Sequence, residues 1–157
     1  MSVKYIGIDP GLDGAVAVLP DLAVYDVPTA EVGGRREYVP VAMARLLRDL
    51  TDGEETVFVA IERVQPFPKA GVVPMFRLGL GLGLWLGVLG ALALPYDLVR
   101  PQDWKAAMLP GRQKEKEAGR VRALELWPAL AAELARKMDH NRADALLIAE
   151  YRRRQDG

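Results

Sequence analysis

The chain contains no cysteine and a single histidine among its 157 residues. Without cysteine there are no disulfides, thiolate metal sites or cysteine nucleophiles, and the redox compartment stays open. The single histidine leaves no competing histidine–serine catalytic pattern. No basic segment followed by an apolar run begins the sequence, so no secretory signal is predicted and a cytoplasmic location is the default expectation. Length and composition predict one soluble globular domain spanning residues 1–157.

Excess charge of either sign is also lacking, because 21 basic and 21 acidic residues balance. The distribution is uneven. Residues 99–157 hold 13 Lys or Arg and 9 Asp or Glu, whereas residues 1–98 hold 8 and 12. A basic carboxyl-terminal third is compatible with a phosphate-binding face, although ordinary surface charge explains it equally well.

One long uncharged stretch, residues 78–96, raises the question of a transmembrane helix. Five glycines interrupt it, Pro95 lies near its end, and no polybasic flank or second apolar span accompanies it. We therefore expect no membrane association.

Apolar periodicity predicts an α/β domain. Strands are expected at residues 3–8, 15–19, 22–27, 56–61 and 98–99, and the first three are joined by tight turns into an antiparallel meander. The fourth is wholly apolar, as in a parallel strand buried on both faces. Helices are expected at residues 39–50, 73–94, from 102, at 118–126 and 128–137, and from 141 onward, with a loop at 63–71. The fold class is thus a mixed five-stranded sheet flanked by helices.

Two carboxylates end predicted strands, and a third lies near the start of the last helix. Asp9 closes the first strand, Glu62 closes the fourth, and Asp144 is placed in the first turn of the helix. If the first and fourth strands are neighbours, both strand-end acids emerge at the sheet edge where open α/β folds bind ligands. Gathered carboxylates suit Mg²⁺ or Mn²⁺, and a two-ion site suits phosphodiester hydrolysis. Strand-end acids are, alternatively, common caps or surface groups.

The sequences of these segments resemble motifs of the RuvC family of Holliday junction resolvases. Residues 6–11, Ile-Gly-Ile-Asp-Pro-Gly, are similar to the family's first motif, residues 61–64 to its second, and residues 140–149 to its last, above all in Ala-Asp-Ala-Leu. Between them, Val99-Arg100-Pro101 with Trp104-Lys105 and Lys116 resembles the family's basic DNA-facing segment. The resemblance spans nearly the whole chain in order, and it is nearest to phage-encoded members.

The resemblance implies a ribonuclease H-like fold, a homodimer, and Mg²⁺-dependent paired cuts in branched DNA at four-way junctions, with two ions per site and Mn²⁺ as a substitute. It makes Asp9, Glu62 and Asp144 metal ligands. The family's fourth ligand falls at Asn141 here, and we expect Asp139 to replace it. A role for His140 as ligand or base, and ordinary helix capping by Asp139 or Asn141, stay open.

Four basic residues, Arg100, Lys105, Lys114 and Lys116, are the candidates for binding the DNA backbone, and a solvated basic loop is the alternative. Gln65 stands where some family members carry an aromatic residue that opens the junction. Phe67 either takes that part or is buried.

Glycines 79, 83 and 87 lie four apart on one side of a predicted helix. They allow another backbone to approach closely, either a partner helix, as in the family's dimer, or the chain's own sheet.

Three other functions share parts of this pattern. A ribonuclease H-like nuclease acting on RNA or RNA–DNA hybrid is the main alternative. An actin-like ATPase needs a second phosphate loop that the sequence does not show, and a non-catalytic junction-binding protein would not need the three acids.

Overall fold

The computed structural model describes residues 2–157 as a central mixed sheet with helices on both faces, and this confirms the predicted fold class. The strands are β1 (Val3–Asp9), β2 (Ala15–Leu19), β3 (Ala23–Asp26), β4 (Thr29–Val32), β5 (Arg35–Tyr38), β6 (Thr56–Glu62) and β7 (Tyr96–Val99). The helices are α1 (Pro40–Thr51), α2 (Val72–Ala91), α3 (Pro101–Met108), α4 (Ala118–Leu126) and α5 (His140–Asp156).

The five-stranded sheet has the order β3-β2-β1-β6-β7. β1, β2 and β3 pair antiparallel, whereas β6 pairs parallel with both β1 and β7. The predicted meander followed by parallel strands is therefore confirmed. Because β1 and β6 are parallel neighbours, their carboxyl ends lie side by side at the centre of one sheet edge.

Alternate residues of the central strands pack into different cores. On one face Ile6 and Ile8 of β1 meet α1 and α2, through Met43, Leu47 and Trp85, all fully buried. The opposite face packs against α5. Several of its strand residues are small, namely Gly7, Ala15, Ala17 and Ala60, and the larger Leu19 completes the cluster.

Helix α5 lies directly on the backbone of β1. A Cβ on Gly7 would collide with the carbonyl oxygen of Ala145, and it would also crowd Ala149. This contact allows no side chain at position 7, so it fixes the position of α5 along β1.

The hairpin β4–β5 was not predicted. Its strands are short, mostly exposed and rich in charge, so they lack the apolar alternation of a half-buried strand. The available signal was the two-residue loop Gly33-Gly34, where both residues have positive φ, 58° and 79°. Such glycine pairs are typical of tight hairpins.

The helix predicted at residues 128–137 is wrong. The chain forms only single-turn 3-10 helices at Pro128–Leu130 and Lys137–Asp139, with turns between them. Arginine side chains bind carbonyl groups of this segment, and one of these, the carbonyl of Glu133, is a group that a helix over 128–137 would use internally. Arg120 donates to the carbonyls of Leu134 and Ala135, and Arg142 donates to that of Glu133.

Among the helices of residues 2–157, α2 alone is long and apolar enough to cross a membrane by length and composition, with a mean hydropathy of 1.8. Its inward side, Gly81, Trp85 and Leu89, is buried against the sheet and α1. The other side exposes Val72, Phe76 and Leu80. The glycines at 79, 83 and 87 have open space beside them, so this stripe does not pack on the chain's own sheet.

Candidate active site

The site is built where β1 and β6 end. Ile8 and Ile61 are paired across the two strands, so the residues that follow them, Asp9 and Glu62, emerge next to each other. Asp144 comes from α5, at the start of its second turn rather than in the predicted first turn. The contact of α5 with Gly7 sets the height of this third carboxylate relative to Asp9.

The three carboxylates act on one another electrostatically. Burial, followed by repulsion from Asp144 and Glu62, holds the pKa of Asp9 well above its ordinary value of 3.8. Burial and repulsion from Glu62 raise the pKa of Asp144 to about 7. Burial also raises the pKa of Glu62. The structure thus brings together three of the four predicted ligands, each held where its negative charge is unfavourable.

Helix α3 supplies two contacts to this group. The indole Nε1–H of Trp104 donates a hydrogen bond of 2.7 Å to Oε2 of Glu62, which lowers the pKa of Glu62 against the effect of burial. The ammonium of Lys105 lies 5.6 Å from the centre of the Trp104 ring, and its charge lowers the pKa of all three carboxylates. Lys105 is therefore the cation whose charge acts on all three carboxylates.

Helix α4 limits the space around Asp144. A Cβ on Gly119 would lie 2.8 Å from Oδ1 of Asp144 and 3.7 Å from Leu147. Only glycine leaves this carboxylate its position. No sequence pattern identifies Glu62 as the partner of Trp104 or Asp144 as the neighbour of Gly119.

The loop after Asp9 is held from the other side by α2 and β5. A Cβ on Gly81 would collide with the carbonyl oxygen of Pro10 and with the ring of Tyr38. The Tyr38 hydroxyl donates 2.9 Å to the carbonyl of Arg77. Burial, followed by the charge of Asp9, raises the pKa of Tyr38 to about 12, so this phenol stays a neutral donor.

Asp9 lies on a cleft whose lining includes several polar side chains. Asn141 from α5 and Arg77 from α2 lie on the cleft wall together with Tyr38. The Arg77 guanidinium donates to the carbonyl of Arg36 at 3.2 Å, which ties it to the hairpin. The residue at the family's fourth ligand position, Asn141, therefore shares the opening with Asp9.

Asp139 is not brought into the acidic group. Its carboxylate is 2% exposed and accepts hydrogen bonds from the backbone N–H of Arg136 at 2.8 Å and from the Arg136 side chain at 2.9 Å. Nη1 of Arg142 lies 3.8 Å away, while Nε and Nη2 of Arg142 both donate to Asp26. These cations lower the pKa of Asp139 despite its burial. Its environment is that of a cap on the 3-10 turn Lys137–Asp139. Asp139 makes no side-chain hydrogen bond to the start of α5, so the expected alternative, a cap on the last helix, is not seen. His140 begins α5 and is exposed.

The predicted DNA-binding residues occupy different surroundings. Arg100 forms an ion pair with Asp103, at 2.8 Å and 3.0 Å. Lys105 and Lys114 line one shallow surface depression between α3 and the loop that follows it. Lys116 lies on a separate surface with Lys137 and His140. Phe67 is 57% exposed, which excludes the alternative that its side chain is buried.

The donor set suits a hard divalent cation. Carboxylate oxygens at an edge of the sheet, with an amide oxygen beside them, are the donors that Mg²⁺ and Mn²⁺ take. Within residues 2–157, no group of three or more histidine, aspartate or glutamate side chains is arranged so that it could hold a metal ion. The donors fit Mg²⁺ in their chemistry and in their shared edge of the sheet, but they do not form a preformed set of three ligands.

Two solved structures share this fold. Thermus thermophilus RuvC matches over 98% of this chain and 96% of its own, with a TM-score of 0.61 and 17% identity in its complex with a Holliday junction substrate, and a TM-score of 0.57 and 18% identity in a second structure. The fold is that of RuvC.

One curated relative also matches in sequence. The chloroplastic Holliday junction resolvase MOC1 of Chlamydomonas reinhardtii is 28% identical over 121 residues, which are 76% of this chain. The match spans 14% of that protein's length. No protein-family profile matches the sequence.

Proposed function

We propose that the chain is a structure-selective DNA endonuclease of the RuvC type, which resolves four-way junctions by metal-dependent hydrolysis of phosphodiester bonds. One observation carries the proposal: Asp9, Glu62 and Asp144 meet, with raised pKa values, at one edge of a RuvC fold. The names of the sequence relative and of the neighbouring structure support the substrate, since both name a Holliday junction.

The proposed cofactor is Mg²⁺, with Mn²⁺ as a substitute and two ions per site. Asp9, Glu62 and Asp144 would hold the ions, and the Asn141 amide oxygen is better placed than the Asp139 carboxylate to be a fourth ligand, because Asn141 lines the cleft with Asp9. The bound ions would supply an activated water and stabilise the leaving oxygen. The chain's own contribution is to keep the acids together at a partly buried sheet edge, with Lys105 close enough to offset part of their charge.

The proposed DNA path runs from this edge over α3. Lys105 and Lys114 share a surface, and Lys116 extends the basic character toward the start of α5. Arg100 is already paired with Asp103, so its contribution to DNA binding is expected to be the smallest of the four. Phe67 is exposed in the loop before α2, where an exposed base of an open junction could stack on it.

A homodimer through α2 is part of the proposal. The outer side of this helix exposes Phe76 at 69% and Leu80 at 40%, and the glycines at 79, 83 and 87 leave open space for a facing helix. A twofold interface pairs residue i with j and j with i. In two antiparallel copies of α2 that cross at Gly83, Phe76 and Gly90 lie seven residues to either side of the crossing point. Each Phe76 would therefore face Gly90 of the partner copy. Gly83→Leu should then yield monomers in light scattering and leave the isolated fold intact.

The proposal is tested by incubating the purified protein with labelled four-way junction, linear duplex, RNA–DNA hybrid and single-stranded RNA, with Mg²⁺ or with EDTA. We expect metal-dependent paired nicks in the junction and little cutting of the others. Preferential cutting of the hybrid or the RNA would move the function to the ribonuclease alternative.

Variants connect the activity to the site. Asp9→Asn, Glu62→Gln and Asp144→Asn should each abolish cutting and leave junction binding largely intact, because losing a ligand removes several kcal/mol of transition-state stabilisation. Glu55→Gln is the matched control, since this exposed acid lies just before β6, at the opposite end of the strand from Glu62. A site variant that retains more than about a tenth of the normal rate would remove that residue from the site.

A further inference from the structure

Trp104 was expected in a DNA-facing segment, and its side chain instead lies inside the protein. It is 0% exposed and packs in a core with Ala60, Met108 and Ile148. Its Nε1–H points at Oε2 of Glu62 across 2.7 Å. A fully packed indole cannot turn away, so the direction of this donor is fixed by the core.

The chemistry of the indole matters for an acid that is to meet a cation. Its N–H donates and cannot accept, and it carries no formal charge. It therefore fixes one oxygen of Glu62 without neutralising the carboxylate, which an arginine or lysine partner would do. The ring of the same residue lies beside the Lys105 ammonium, at 5.6 Å, so one side chain touches both an acid and the nearby cation.

We propose that Trp104 is a positioning residue that holds the Glu62 carboxylate in the orientation needed to bind a divalent cation. This inference rests on the proposed metal-dependent nuclease function. Hydrogen-bond partners of metal ligands typically change metal affinity or activity by about 10- to 100-fold when removed. The contact of Trp104 with Glu62 should have an effect in that range.

The chain contains a matched control for removing this one N–H. Trp85 is also 0% exposed, but within residues 2–157 its Nε1–H has no acceptor. Trp104→Phe and Trp85→Phe make the same change in two buried sites, and only the first deletes a hydrogen bond to Glu62. Phenylalanine keeps a ring beside Lys105, and both variants lose the same ring volume from a buried site, so the difference between them isolates the N–H.

The first readout needs no DNA. The increase in Tm produced by Mn²⁺ or Mg²⁺ alone is measured across a titration of the metal for the wild type and both variants. We expect the half-saturating metal concentration of Trp104→Phe to rise at least tenfold, and that of Trp85→Phe to stay within twofold of the wild type. In a Glu62→Gln background, Trp104→Phe should cause no further change, because the carboxylate on which it acts is gone. Trp104→Tyr, which moves the donor away from Glu62, replaces the phenylalanine variant if that protein does not fold.

The second readout is cleavage of the four-way junction. Trp104→Phe should lower kcat about 10- to 100-fold at the metal concentration that saturates the wild type and leave KM and junction Kd within twofold. If Trp104→Phe matches Trp85→Phe in both readouts while the wild type cuts junctions, the positioning role is refuted and the nuclease function stands. If the wild type cuts no junction and Trp104→Phe still weakens the metal response, the nuclease proposal fails and the positioning of Glu62 stands.

Discussion

Replacing Gly119 by alanine should separate stability from activity. The added Cβ would lie 2.8 Å from Oδ1 of Asp144, whereas ordinary contacts begin near 3.4 Å, so the carboxylate must retreat by about 0.6 Å. A displacement of about 1 Å in a catalytic group can cost about 100-fold in rate. We therefore expect the junction-cleavage rate of Gly119→Ala to fall roughly 10- to 100-fold.

Stability should change little in the same variant. Gly119 lies inside α4, where alanine gains about 1 kcal/mol of helix propensity over glycine, and this gain offsets the crowding at Asp144. Chemical denaturation measures the free energy of unfolding, and single-turnover cleavage of a labelled junction measures the cleavage rate. The control is Val121→Ala on the same helix, because Val121 is 43% exposed and alanine is again the better helix former. Wild-type cleavage by Gly119→Ala would refute the placement of Asp144 in the site.

Three further outcomes are expected. The pKa of Asp144 is about 7 in the fold and near 3.8 unfolded, so the native state binds the extra proton and metal-free stability should fall as pH rises from about 4 to about 7, by about 4 kcal/mol from this group. Urea unfolding across this range should show that Asp144→Asn loses this share of the slope, and an unchanged slope would contradict the raised pKa. Asp139→Asn should cost about 1–3 kcal/mol and keep most activity, whereas Asn141→Ala should slow cutting without lowering Tm; the reverse pattern would return the fourth-ligand role to Asp139. Lys105→Ala and Lys114→Ala should each reduce the salt dependence of junction binding by about one unit in slope, and unchanged slopes would favour a merely solvated loop.

Much of the sheet could be predicted because its signals are local. The strands that carry Ile6, Ile8 and Ile61 are apolar and β-branched, and each ends at an acid, so the placement of Asp9 and Glu62 followed from parallel pairing alone. The apolar pattern does not predict the β4–β5 hairpin, because its exposed strands have no apolar alternation. Its local signal is the glycine pair Gly33-Gly34.

The remaining features depend on contacts between distant segments. Arg142 binds the Glu133 carbonyl, which a helix at 128–137 would have used, and Arg120 holds the following carbonyls, and no pattern within that segment shows this. Asp139 and Asn141 are two residues apart, yet they face different neighbours because α5 begins between them. In the same way Trp104 looked like part of a DNA-binding segment, since a sequence cannot show that its N–H meets Glu62 across 42 positions.

The close seating of α5 on Gly7 has a consequence for biosynthesis. The acids that meet in the site come from residue 9 and residue 144, near opposite ends of the chain, and only the docked helix joins them. A ribosome releases the first of these long before the second. The growing chain can fold its sheet and still present no complete set of acids to DNA. A nuclease of the proposed kind would thus stay inactive until α5 has emerged and packed, without any separate inhibitor.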